Sequence, residues 1–155
     1  MEKRIFFVTT VTWQRRSILQ SDELARELLS TLFDYRTAGR FALHEFVIMP
    51  DHVHLLLTPA AAISLERTMQ LIKGGFSYRV RKMRPNLMVW EKSFMNHRIR
   101  DERDYAQHRE LCPTPEGVGF HDGAWHLFHE REPATYATSS YRQALTRSGL
   151  SLVDF

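Results

Sequence analysis

The chain has 155 residues, 43% of them hydrophobic and 25% charged, with a net charge of +3. That is globular composition, and it excludes a collagen-like or disordered chain; the lone Cys112 excludes a disulfide-stapled fold. No apolar run approaches the ~20 residues that cross a bilayer, and the threonine-broken apolar start reads as a strand, not a signal peptide, so a cytoplasmic setting without membrane partners is expected.

Ile5 to Trp13 is rich in β-branched and aromatic residues, which predicts a first strand. Ser21–Asp22–Glu23 is a helix start with acids in the first turn. Leu24, Leu28, Leu32 and Tyr35 follow at helical spacing up to the stop signal at Gly39. Phe41 to Met49 is a second strand, Pro50–Asp51 a tight connection, and His52 to Thr58 a third strand. Ser64 caps a second helix with the apolar stripe Leu65, Met69, Ile72, Phe76 and Val80. Two glycines cost a helix interior about 2 kcal/mol relative to alanine, so Gly74–Gly75 predicts a kink or a close backbone approach. Met88 to Ile99 supplies a fourth strand, interrupted at Glu91–Lys92–Ser93, and Asp101 opens a third helix that runs through Leu111. The order β-α-β-β-α-β predicts an α+β, ferredoxin-like antiparallel sheet with helices on one face, then a further helix and an irregular C-terminal segment.

Charge is unevenly spread. From Ser64 to Arg103 ten basic residues stand against four acidic ones, whereas Glu110 to Ser140 holds five acids and only Arg131. A basic middle of this kind suits a polyanion, although a solvated helix face accounts for it equally on charge alone.

The strongest local feature is Met49–Pro50–Asp51–His52–Val53–His54–Leu55–Leu56. Residues two apart on a strand share a face, so His52 and His54 present two imidazoles side by side, with Val53 and Leu55 turned away. Two neutral imidazoles on a rigid strand form half of a divalent metal site. Exposed strand polarity is the plainer reading of His-x-His, but this pair follows a proline turn, which would set it at the sheet edge. A metal-dependent hydrolase on a TIM barrel is excluded by length, since such barrels need ~250 residues. Cys112, His121, His126 and His129 match zinc spacings poorly and read as loop residues.

With that octapeptide, three further stretches make the chain resemble the IS200-like tyrosine transposases, the REP-associated branch above all. They are Met69 to Ser77, Trp90 to Phe94, and His97–Arg98–Ile99–Arg100–Asp101–Glu102–Arg103–Asp104–Tyr105 leading to His108–Arg109. The resemblance implies a catalytic-type domain over residues 1–111, with 112–155 as an atypical segment. It implies binding of single-stranded or hairpin DNA, and cutting and rejoining through a 5′-phosphotyrosine. It implies Mg²⁺ or Mn²⁺ on His52 and His54 with a third ligand from the tyrosine's helix, and it leaves a homodimer open. Lys73, Arg79, Arg81, Lys82, Arg98 and Arg100 would then contact DNA, Gly74 and Gly75 would allow its close approach, and Trp90, Phe94 or Tyr78 would stack on bases or pack in the core.

The chain departs from that pattern where the chemistry is concentrated. The family continues His-Arg-x into Tyr-Ile-x-x-Asn-Pro; here Leu111 stands at the nucleophile position and Pro115 at the asparagine. Tyr105 is the candidate substitute nucleophile. It lies six residues earlier, turned some 120° around the helix and roughly 9 Å along it, and reads more readily as helix packing. Tyr136 and Tyr141 fall in the unmatched segment. Two functions follow: a metal-dependent single-strand DNA transposase, or a DNA-binding derivative of that fold without the nucleophile.

Overall fold

The computed structural model describes residues 4–111 together with the two-residue segments 120–121 and 124–125. Their order is β1 (Phe6–Val11), α1 (Asp22–Thr37), β2 (Phe41–Ile48), β3 (His52–Pro59), α2 (Leu65–Met83), β4 (Met95–Arg98) and α3 (Glu102–Leu111). Two 3-10 turns join β1 to α1, and Phe120–His121 pairs antiparallel with Ala124–Trp125. The four strands form one sheet in the order β2-β3-β1-β4, and each neighbouring pair is antiparallel. With a helical crossover from β1 to β2 and another from β3 to β4, this is the expected ferredoxin-like α+β arrangement.

Both predicted helix starts are capped by their serines. Ser21 Oγ accepts from the Leu24 N–H at 3.4 Å and Ser64 Oγ from the Arg67 N–H at 3.1 Å. Gly39, at φ +75, lies just beyond the end of α1, a left-handed position that glycine adopts without a Cβ penalty. The stripe Leu24, Leu28 and Leu32 of α1 meets Leu65, Met69, Ile72, Phe76 and Val80 of α2 in the main core, over Val8, Phe46, Val53, Leu55 and Leu57. The paired glycines resolve as close approach without a kink. A Cβ on Gly75 would lie 2.7 Å from Tyr35 Oη of α1, whereas one on Gly74 would meet nothing within 4 Å.

A smaller cluster, Phe7, Val47 and Leu56, occupies the other face of the sheet, where Ile5, Met49, Ile99 and Tyr105 pack on it. Thus α1 and α2 cover one face and the additional helix α3 the other.

Two expectations about the strands change. The β4 ladder is limited to Met95–Arg98, and Trp90 makes only an isolated bridge to Thr12. The physical reason lies in the intervening residues. Lys73 Nζ donates to the carbonyls of Glu91 (2.7 Å) and Ser93 (3.1 Å), and Glu91 Oε1 accepts from the Gln14 N–H at 2.8 Å. The Glu91 and Ser93 carbonyls are thus taken by α2, and only the Glu91 N–H still reaches β1, bonding the Val11 carbonyl at 3.0 Å. Secondly, β3 is an inner strand, so the histidine pair lies at a strand end in the middle of the sheet and not along its edge.

Candidate metal centre

Strand alternation positions the pair. Val53 is 1% exposed in the main core, so its neighbours His52 and His54 must project from the opposite face. The β1–β3 register sets Thr9 opposite His54 and Val11 opposite His52. The two imidazole centroids are 4.8 Å apart, with the rings inclined at 74°.

Each ring is held through Nδ1. His52 Nδ1 lies 2.6 Å from Asp51 Oδ1, and His54 Nδ1 lies 2.9 Å from Thr9 Oγ1. In the tautomer that donates from Nδ1, both Nε2 atoms keep a lone pair for a cation, oriented by a carboxylate and a hydroxyl behind them. Phe7 supports the pair from β1, its ring stacked on His54 at 5.2 Å.

Electrostatics favour ligation. Burial, and then the neighbouring His52, push His54 down from 6.5 to about 4, so its ring is neutral at pH 7, the form that can ligate a cation. Burial works to raise the Asp51 carboxyl, but its hydrogen bond and charge interaction with His52, with Arg15 helping, leave it below its ordinary value. Arg15 Nη1 stands 3.5 Å from Asp51 Oδ2. These residues therefore fit a divalent cation that accepts two nitrogen ligands. A nitrogen pair suits Mn²⁺ better than Mg²⁺, which prefers an all-oxygen octahedron.

The other predicted residues are more dispersed. Tyr105 packs on Phe7, Val47 and Leu56 and meets His44 edge-on at 6.4 Å. His44 in turn bonds Thr58 at 2.8 Å, four residues past His54 along β3. Tyr105 thus faces the opposite end of β3 from His52. Tyr35 lies at the α1–α2 contact, and Tyr78 is 60% exposed on α2. Tyr136, Tyr141, Cys112, His126, His129 and Pro115 lie outside the described residues, as does the side chain of His121.

The basic residues divide by role. Lys73 holds the 91–93 segment, and burial lowers its pKa against an opposing pull from Glu91. Arg79 pairs with Asp34 of α1. Arg81 and Lys82 are exposed on α2, Lys82 lying 4.5 Å over the Tyr78 ring. Arg98 and Arg100 are exposed beside the start of α3. Gly74 opens onto a cavity of about 480 Å³ between α2 and the segment before β4, which Lys73, Lys92 and Phe94 also line. Trp90 is core, 5.5 Å from Phe76.

Sequence reasoning did not single out the groups behind the two imidazoles, Asp51 and Thr9. Asp51 was adjacent in the chain; Thr9 needed the strand register.

Residues 4–104 match the family model described as IS200-like transposase. The fold is similar to that of a REP-associated tyrosine transposase bound to a REP hairpin, at 20% identity and a TM-score of 0.59. That likeness covers 71% of this chain and 64% of the other, so this chain spans less than two thirds of that relative's length. A candidate transposase from Deinococcus radiodurans R1 is similar at 25% identity and a TM-score of 0.57, over 72% of this chain and 89% of that one. No curated protein matches the chain in sequence.

Proposed function

The chain belongs to the IS200-like transposase family, and from that premise we propose that it binds single-stranded or hairpin DNA and holds Mn²⁺ or Mg²⁺ on His52 and His54. The observation that carries this reading is the pair of imidazoles anchored through Nδ1 by Asp51 and Thr9, with both Nε2 atoms left to one side of the sheet. A divalent cation there supplies charge neutralisation to a phosphodiester oxygen. Asp51 and Thr9 keep the two rings in the ligating orientation.

DNA affinity would come from the exposed cations. Arg81 and Lys82 on α2 and Arg98 and Arg100 beside α3 offer the backbone contacts that single strands require. The cavity at Gly74 gives a strand room for close approach on the α2 side. The hairpin held by the REP-associated relative supports DNA of that class.

The family reaction cuts and rejoins DNA through a tyrosine. In this chain Leu111 occupies that position, and Tyr105 is packed beside His44 and Leu56, which favours the second reading: binding without strand cleavage.

The test is incubation of the full chain with hairpin-flanked single-stranded DNA and Mn²⁺. The expected result is a retarded complex on a native gel and no covalent protein–DNA adduct on a denaturing one. An adduct that vanishes in Tyr105→Phe would establish cleavage with Tyr105 as nucleophile. Mn²⁺ affinity unchanged in His52→Ala/His54→Ala would remove the metal assignment.

A further inference from the structure

On the face of the sheet that α3 covers, three side chains from two elements converge. His97 on β4 and Asp104 and His108 on α3 bring one ligand atom each to within 4.8 Å of one another. His97 Nε2 is 2.9 Å and 3.1 Å from the two Asp104 carboxylate oxygens, and His108 Nδ1 is 3.0 Å from Oδ1. The two imidazoles stack nearly parallel, 4.3 Å apart.

The carboxylate is built into the fold. Asp104 is 8% exposed, and its Oδ2 accepts from the Arg100 backbone N–H at 2.8 Å. Its own N–H is bonded by Asp101 Oδ1 at 2.8 Å, so the first turn of α3 fixes where it stands. Hydrogen bonds from His97 and from the Arg100 backbone thus converge on one carboxylate that the fold keeps out of solvent. The Arg100 guanidinium approaches Oδ2 at 3.6 Å, but that side chain is 77% exposed and the pair is strongly screened. A buried anion with two imidazoles on it and one solvated cation beside it is a receptive place for a metal.

We propose that His97, Asp104 and His108 form a second cation site, selective for a zinc-class transition ion, that clamps α3 to β4. The donor set of two nitrogens and one carboxylate oxygen, with a fourth position for water, is that of tetrahedral zinc. Bonds of about 2.1 Å at tetrahedral angles set ligand atoms ~3.4 Å apart, so the Asp104 contacts must open by a few tenths of an ångström. His108 would exchange its hydrogen bond to the Asp104 carbonyl, now 2.9 Å, for the metal. The site is separate from the His52–His54 pair. Phe7 stacks on His54 at 5.2 Å and meets His108 at 5.1 Å, so its ring stands between the two. Two ligands come from the helix and one from the strand, and occupancy would fix the helix that carries position 111.

The test titrates the metal-stripped full chain with Co²⁺, reading visible d–d absorption, and with Zn²⁺ by calorimetry. Two equivalents are expected. His52→Ala/His54→Ala should keep one, with the intense absorption of a tetrahedral Co²⁺ centre. His97→Gln and Asp104→Asn should each keep the other and lose that absorption, with at least a 10-fold weaker second site. His97→Gln is the milder change, since it removes an exposed-side ligand without stripping the buried anion. Circular dichroism checks that each variant is folded. A single equivalent in the parent, abolished by His52→Ala/His54→Ala, would overturn the proposal, and so would a second equivalent unaffected by His97→Gln. Neither outcome alters the DNA-binding reading, which gel retardation measures independently.

Discussion

Thr9 Oγ1 lies 2.9 Å from His54 Nδ1, across the ladder that pairs β1 with β3. The hydroxyl can accept from the Nδ1–H of His54, and in that tautomer Nε2 keeps its lone pair for a cation. Thr9→Val keeps the β-branched shape and removes only that partner. It is expected to weaken Mn²⁺ binding about 10-fold, the usual effect of losing a group behind a metal-bound histidine. Titration followed by electron paramagnetic resonance would read the change, and unaltered affinity would show that the ring needs no such anchor.

The same ring makes metal-free stability depend on pH. His54 titrates at about 4 in the fold against 6.5 as its ordinary value. Above pH 6.5 both folded and unfolded chains carry it neutral, and its contribution is complete. As pH falls from 6.5 towards 4 the unfolded chain takes the proton first, so stability drops, and the loss levels off once the folded ring also protonates. Allowing for the ring's partial exposure, the loss is about 1–2 kcal/mol. Urea midpoints of metal-stripped protein at pH 7.5 and 4.5 would measure it, and His54→Gln should flatten that part of the profile.

Much of this was legible in the chain. The helix caps at Ser21 and Ser64, both apolar stripes and the alternation that aims His52 and His54 together follow from local pattern. What escaped depends on tertiary placement. The extent of β4 was overread because the carbonyls of Glu91 and Ser93 go to Lys73, a residue twenty positions from Ser93. Asp104 and His108 stand four apart on a helix, a spacing readable in sequence, but His97 joins them only through the pairing of β4 with β1. The basic run reads as uniform charge, yet Lys73 and Arg79 are committed to Glu91, Ser93 and Asp34 while Arg81 is exposed.

The two glycines of α2 should respond oppositely to alanine. Gly74→Ala adds a methyl in open space and is expected to stabilise by about 0.8–1 kcal/mol through helix propensity. Gly75→Ala puts its methyl 2.7 Å from Tyr35 Oη and must displace that ring from the α1–α2 contact. Overpacking of this kind costs typically 1–3 kcal/mol, so Gly75→Ala should fall below the parent despite the same propensity gain. Thermal melts of the two variants side by side decide it, and equal stabilisation would mean that Tyr35 yields freely.

The final prediction concerns the helix end. α3 starts beside Ile99, whose N–H bonds the Ile5 carbonyl at 2.9 Å, and by His108 it has reached Phe7 and the stack on His54. Leu111 closes the helix three residues on, about 4.5 Å further along the axis. The helix thus runs towards the histidine pair, and a phenol at position 111 would be carried to that end of the sheet. Leu111→Tyr is therefore expected to give a covalent adduct with hairpin-flanked single-stranded DNA in Mn²⁺, where the parent gives none. The yield should be low, because Pro115 still stands where the family places its asparagine ligand. The adduct should disappear in the His52→Ala/His54→Ala background, as metal-assisted attack requires. If Leu111→Tyr binds DNA and Mn²⁺ as the parent does yet forms no adduct, a phenol at position 111 is not sufficient for cleavage, and the expectation drawn from the course of α3 fails.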